Sequence, residues 1–85
     1  MDFEITKHAR QEATRRRIPW QLVEDVVGRA EQVVEEKGEI VCYQSRVEIA
    51  GRSYLLRVMV NDKATPKRIV TVYRTSKIEK YWKQP

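Results

Sequence analysis

The sequence holds 85 residues, 41% hydrophobic and 34% charged, which suffices for one small core and excludes a disordered chain. A single domain over residues 1–85 is expected. The net charge of +5 and pI near 9.6 point to a polyanionic partner, and the lone Cys42 excludes an internal disulfide and a cysteine metal cluster.

Thr6 has the hydroxyl of an N-cap, predicting a helix from Lys7 to about Arg16. In "IPWQLVEDVVGRAEQVV", Leu22, Val26 and Ala30 interleave with Val23 and Val27 at helical spacing, and Pro19 is tolerated in the first turn. Val33 and Val34 fit either the end of this helix or a further strand. After Gly38 the period becomes twofold. Val41, Tyr43, Ser45, Val47 and Ile49 fall on one side of a long strand, with Ile40, Cys42, Gln44, Arg46 and Glu48 on the other.

Ala50 and Gly51 turn the chain into "RSYLLRVMV", where Tyr54, Leu56, Val58 and Val60 share a face. The loop "NDKATPK" leads to a third strand, "RIVTVYRT". Ser76 with Glu79 matches a capping box, predicting a short helix in "KIEKYW". The expected class is α+β: two amino-terminal helices on one face of an antiparallel sheet of three or four strands, closed by a short carboxyl-terminal helix. With Val58, Val70 and Val72 facing the helices, the open face collects Arg46, Arg57, Thr71, Tyr73 and Thr75. Arg74 has the opposite parity.

Charge is unevenly spread. Residues 21–40 carry six acids against two bases, and residues 61–85 carry seven bases against two acids. Arg15, Arg16 and Arg17 form a second basic knot, which either tracks a nucleic-acid backbone or complements the carboxyl end of the first helix. No apolar run is long enough to span a membrane, and no basic start precedes an apolar stretch with a cleavage site, so a cytoplasmic protein with no membrane partner is expected.

"ITKHAR", Arg16 and Ile18 before the acidic valine-rich helix, "YLLRVMV" and "IVTVYRTSKIEKYW" together resemble a family of short stand-alone bacterial proteins described as a domain of unknown function and allied to the RelE, ParE and BrnT toxins. The resemblance covers nearly the whole chain. It implies a RelE-like fold, metal-independent RNA cleavage as in the toxin members, and neutralisation by an antitoxin protein. His8 and Arg10 match the family's amino-terminal motif, Arg16 its second basic position, Arg57 its central-strand arginine, and Tyr73, Arg74, Thr75 and Lys77 its closing motif. Arg17 and Pro19 depart from the pattern, which places glycine and a small capping residue after Arg16.

RNA cleavage without metal needs a base, an acid and cations at the phosphate. His8 could be base or acid, since its imidazole titrates near neutrality, with Lys77 or Tyr73 supplying the opposite proton. The alternative is that His8 caps or packs at the helix start. Arg57 sits mid-strand among apolar residues, so it is either a phosphate clamp or one half of a cross-strand ion pair with Glu48. Arg10, Arg16, Arg46, Arg74 and Thr75 complete the candidate RNA contacts. Tyr81 and Trp82 read more simply as packing residues than as base-stacking ones. Cys42 lacks an obvious paired base, and no metal-ligand set or Gly-rich phosphate loop is present, so neither metal nor cofactor is expected.

The leading expectation is therefore a metal-independent ribonuclease of the toxin–antitoxin kind, with His8, Arg57, Lys77 and Tyr73 as catalytic candidates. The alternative is a non-catalytic nucleic-acid- or partner-binding module of the same fold, in which the basic side chains do not converge. The chain is expected to be a monomer or a homodimer joined through a strand edge or the terminal helix.

Overall fold

A computed structural model of the protein describes residues 3–84. The element order is β1 (Phe3–Ile5), α1 (Lys7–Arg15), α2 (Trp20–Arg29), β2 (Gln32–Glu35), β3 (Ile40–Ile49), β4 (Arg52–Asn61), β5 (Lys67–Thr75) and α3 (Ile78–Tyr81). The class is α+β, with a five-stranded sheet in the order β1-β5-β4-β3-β2. The sheet is mixed rather than wholly antiparallel, because β1 pairs parallel with β5 while the other neighbours are antiparallel. Two short edge strands account for the difference from the expected three or four. β1 has only three residues, too few for a period to show, and β2 has four.

α1 begins as its sequence dictates, with the Thr6 hydroxyl accepting from the Ala9 amide at 3.1 Å. It ends in a Schellman motif: the amides of Ile18 and Arg17 donate to the carbonyls of Ala13 and Thr14 at 2.9 and 3.1 Å. Arg17 occupies the left-handed position of that motif at φ 54°, the place glycine normally takes. α2 stops at Arg29, because Ala30 is extended at ψ 140°, and Val33 and Val34 then belong to β2.

The β3–β4 turn sets the register of everything that follows. Ala50 and Gly51 both take positive φ, 52° and 77°, as a two-residue type I′ turn requires, and Ile49 pairs with Arg52. Leu56, Val58, Val60, Ile69 and Val72 thus join Ala9, Ala13, Ile18, Val23, Val26 and Val27 in one buried cluster between sheet and helices. A bulge between Met59 and Val60 breaks the alternation in β5, so Ile69 rather than Val70 pairs with Val60 and enters that cluster.

The last element starts later than its sequence suggests. Lys77 stands at the N-cap position of α3 with no side-chain cap, so the Ser76–Glu79 capping box does not form. The Thr75 hydroxyl instead accepts from the Lys77 amide at 3.0 Å.

Candidate nucleic-acid interface

Strand alternation places Gln44, Arg57 and Tyr73 side by side across β3, β4 and β5, on the face away from α1 and α2. A guanidinium here must be paired, because its desolvation costs several kcal/mol in order of magnitude. Arg57 is only 4% exposed, and three of its nitrogens have partners. Nε donates to Gln44 Oε1 at 2.8 Å, Nη1 to the Tyr73 hydroxyl at 2.6 Å, and Nη2 to Glu36 Oε2 at 3.3 Å. Burial works against the Arg57 charge, but the Tyr73 hydrogen bond and neighbouring ionisable groups including Glu36 outweigh it and hold the pKa above its ordinary value. Burial pushes the Tyr73 hydroxyl up as well, against the pull of Arg57, so it remains a neutral phenol at physiological pH.

The carboxyl-terminal segment lies over this network and is fastened by it. The Arg57 guanidinium sits 4.5 Å from the centre of the Tyr81 ring, and that of Arg46 sits 4.3 Å from Trp82 while also gripping Glu31 at 2.8 Å. Gln44 Nε2 donates to the Tyr81 carbonyl at 3.2 Å. Gln32 both accepts from the Lys83 amide at 3.1 Å and donates to the Lys83 carbonyl at 2.7 Å. No residue of α3 is fully buried, although Leu55 and Cys42 on this face are, so polar and cation–π contacts work beside apolar burial in fixing the segment. Docked this way, the segment leaves Lys77, Lys80 and Lys83 exposed at intervals of three, and none of them is within ion-pair distance of a carboxylate among the described residues. Ser76, Lys77, Ile78, Glu79 and Lys80 line an open groove of about 530 Å³.

The residues singled out in the sequence do not gather at one point. Arg57 and Tyr73 meet beneath the tail, and Arg46 and Thr75 share their face of the sheet. His8 and Arg10 belong to α1, which packs through Ala9 and Ala13 on the opposite face, so the imidazole and the Arg57 guanidinium are separated by the sheet. Arg10 lies 5.8 Å from the Trp20 ring, and Arg16 is bound to Glu12 at 2.9 Å. Hydrogen bonds from Arg15, then from Arg16, bring the Glu12 carboxyl down to about 2. Arg74 pairs with Leu56 on the helix side and stacks on Tyr54 at 4.5 Å. Lys77 is exposed at the start of α3.

Glu48 is not the partner of Arg57. It pairs with Ser53, four residues along β3 from Gln44, and the carboxylate that reaches Arg57 comes from Glu36 beyond β2. Sequence reasoning missed Gln32, Gln44 and Glu36 altogether. Gln44 was within reach, since a two-residue turn at Ala50–Gly51 aligns it directly with Arg57. Gln32 and Glu36 were not, because their placement depends on β2.

The described residues contain no group of three or more His, Cys, Asp or Glu side chains able to hold a metal ion. No helix among them is long and apolar enough to cross a membrane. The profile of a family described as Domain of unknown function (DUF4258) matches residues 5–74. No curated protein and no solved structure matches the chain.

Proposed function

The chain belongs to the DUF4258 family, and we propose that it is a non-catalytic RNA-binding module whose contact surface is the lysine-bearing tail, Lys77, Lys80 and Lys83. One observation carries this reading. The arginine best suited to clamp a phosphate is spent internally, while three lysines without carboxylate partners among the described residues stand in solvent on a segment tied to the sheet by hydrogen bonds and cation–π contacts. An ammonium free of a carboxylate is the group that gains most from meeting a phosphate, because counterions leave the nucleic acid and no internal pair has to be broken.

The ribonuclease reading, and with it the toxin role, requires a base and a phosphate clamp at one scissile bond, whereas a RelE-like fold is compatible with either reading. His8 and Arg57 stand on opposite faces of the sheet, which favours binding over cutting by these residues. Binding is measured by fluorescence anisotropy with labelled RNA in chelator across a salt series. A chain with Lys77, Lys80 and Lys83 all changed to glutamine is expected to bind more weakly and to lose about two to three units of slope in log K against log salt. An unchanged slope refutes the tail as the contact surface. RNA cut under the same conditions, with cutting lost in His8→Ala, replaces the binding reading with the nuclease.

A further inference from the structure

The partners of the aromatic rings narrow the class of nucleic acid. Proteins that bind single strands stack exposed bases on aromatic rings, at roughly 1–3 kcal/mol per base. This chain has seven aromatic residues, Phe3, Trp20, Tyr43, Tyr54, Tyr73, Tyr81 and Trp82, all within the described residues. Every one is at least partly buried, and among the described residues Val33 is the only large hydrophobic residue that is exposed.

Each ring also has a partner already. Tyr81 lies under Arg57 and Trp82 under Arg46, at 4.5 and 4.3 Å. Tyr73 takes the Arg57 hydrogen bond and meets Tyr81 edge-on at 6.4 Å. Tyr54 lies under Arg74 and Trp20 under Arg10. Phe3 meets Tyr43 edge-on at 6.3 Å, and the Tyr43 hydroxyl donates to Asp62 at 3.0 Å. In the tail Tyr81 and Trp82 are partly buried and already occupied by guanidinium groups, and the Lys80 ammonium also lies 5.3 Å from the Tyr81 ring. Lys77, Lys80 and Lys83 are exposed, so a nucleic acid meeting that surface finds ammonium groups and no fully exposed ring on which to stack a base.

Resting on the RNA-binding reading, we infer that the preferred ligand is a duplex held through its phosphates rather than a single strand held through its bases. A duplex presents about one charge per 1.7 Å of axis, so a row of lysines gains more from it than from one strand, while unstacked bases gain nothing here. The same chemistry fits duplex RNA and duplex DNA, because lysine to phosphate contacts carry no base or sugar identity.

The test uses the full chain and three labelled probes with matched phosphate number at one salt concentration: an RNA duplex, a DNA duplex of the same sequence, and a uridine-rich single strand. The RNA duplex is expected to bind at least about fivefold more tightly than the single strand, with the DNA duplex on the same side of it. Equal or tighter binding of the single strand overturns the duplex inference and leaves RNA binding standing. Failure of all three probes to bind removes the RNA-binding reading itself.

Discussion

The two faces of this sheet are made by the same alternation of residues, yet different forces hold them. On the helix side Leu56, Val58, Val60 and Val72 are fully buried against Ala9, Val23 and Val26, and shape and apolar area suffice. On the other side the strands present Gln44, Arg57 and Tyr73, and the covering segment is tied down by guanidinium–ring contacts and amide hydrogen bonds. Hydrophobic burial is non-directional and tolerates some repacking, whereas a buried charge network depends on each partner being in place. One face should therefore govern whether the chain folds, and the other where the tail sits.

Truncating the helix side gives the largest effect. Leu56→Ala removes a fully buried side chain among close-packed neighbours and is expected to destabilise the whole chain by about 2–5 kcal/mol, lowering Tm by more than about 10 °C. Thermal unfolding by circular dichroism measures it. A loss below about 1 kcal/mol contradicts the placement of Leu56 in the core.

Arg57→Ala acts on the other face and should differ in kind. It leaves Gln44 Oε1 with only the Cys42 thiol at 3.8 Å, strands the Tyr73 hydroxyl and takes the guanidinium away from the Tyr81 ring, while the Glu36 side chain, 34% exposed, can return to water. The expected cost is about 2–3 kcal/mol, below the range for breaking a fully buried pair. Its signature is local. Limited trypsin digestion should cut at Lys77, Lys80 and Lys83 faster than in Leu56→Ala, compared at temperatures where both remain folded. Equal rates in the two variants mean that Arg57 does not anchor the tail.

The contrast between the faces also explains what was legible beforehand. Helix-side residues follow simple periods, 3.6 in α1 and α2 and two in β3 and β4, so the apolar core could be read from order alone, apart from the bulge that exchanges Val70 for Ile69. The opposite face needed register as well as period. The Ala50–Gly51 turn already fixed it, for Arg57 opposite Gln44 puts Glu48 about 13 Å away along the strand at roughly 3.3 Å per residue, out of reach of an ion pair. Glu36 could not be found in this way. It is delivered by β2, whose valines look equally helical or extended until they pair with β3. The parting of His8 from Arg57 is a matter of layer, since a helix can be assigned from its own sequence while the face of the sheet it covers cannot.

Cys42 offers the smallest and most local probe of the polar face. It lies on β3 between Ile40 and Gln44 positions of that face, fully buried, and burial pushes its thiol up to about 11 from an ordinary 9.0; Glu36 adds to the rise and Arg57 opposes it. At pH 8 the thiolate fraction is then smaller by about 100-fold, so alkylation of the folded chain should be slower than that of the unfolded chain by at least that factor. The same shift sets a sign. The unfolded thiol releases its proton near pH 9 and the folded one only near 11, so the folded state holds more protons in that window, and this group withdraws stability as pH rises through it, with no effect below. In Arg57→Ala, alkylation should quicken if the covering segment opens the face, while in Leu56→Ala under folding conditions it should stay slow. Fast labelling of the unaltered chain would mean that the polar face is open in solution, and with it the distinction between the two sides of the sheet would fail.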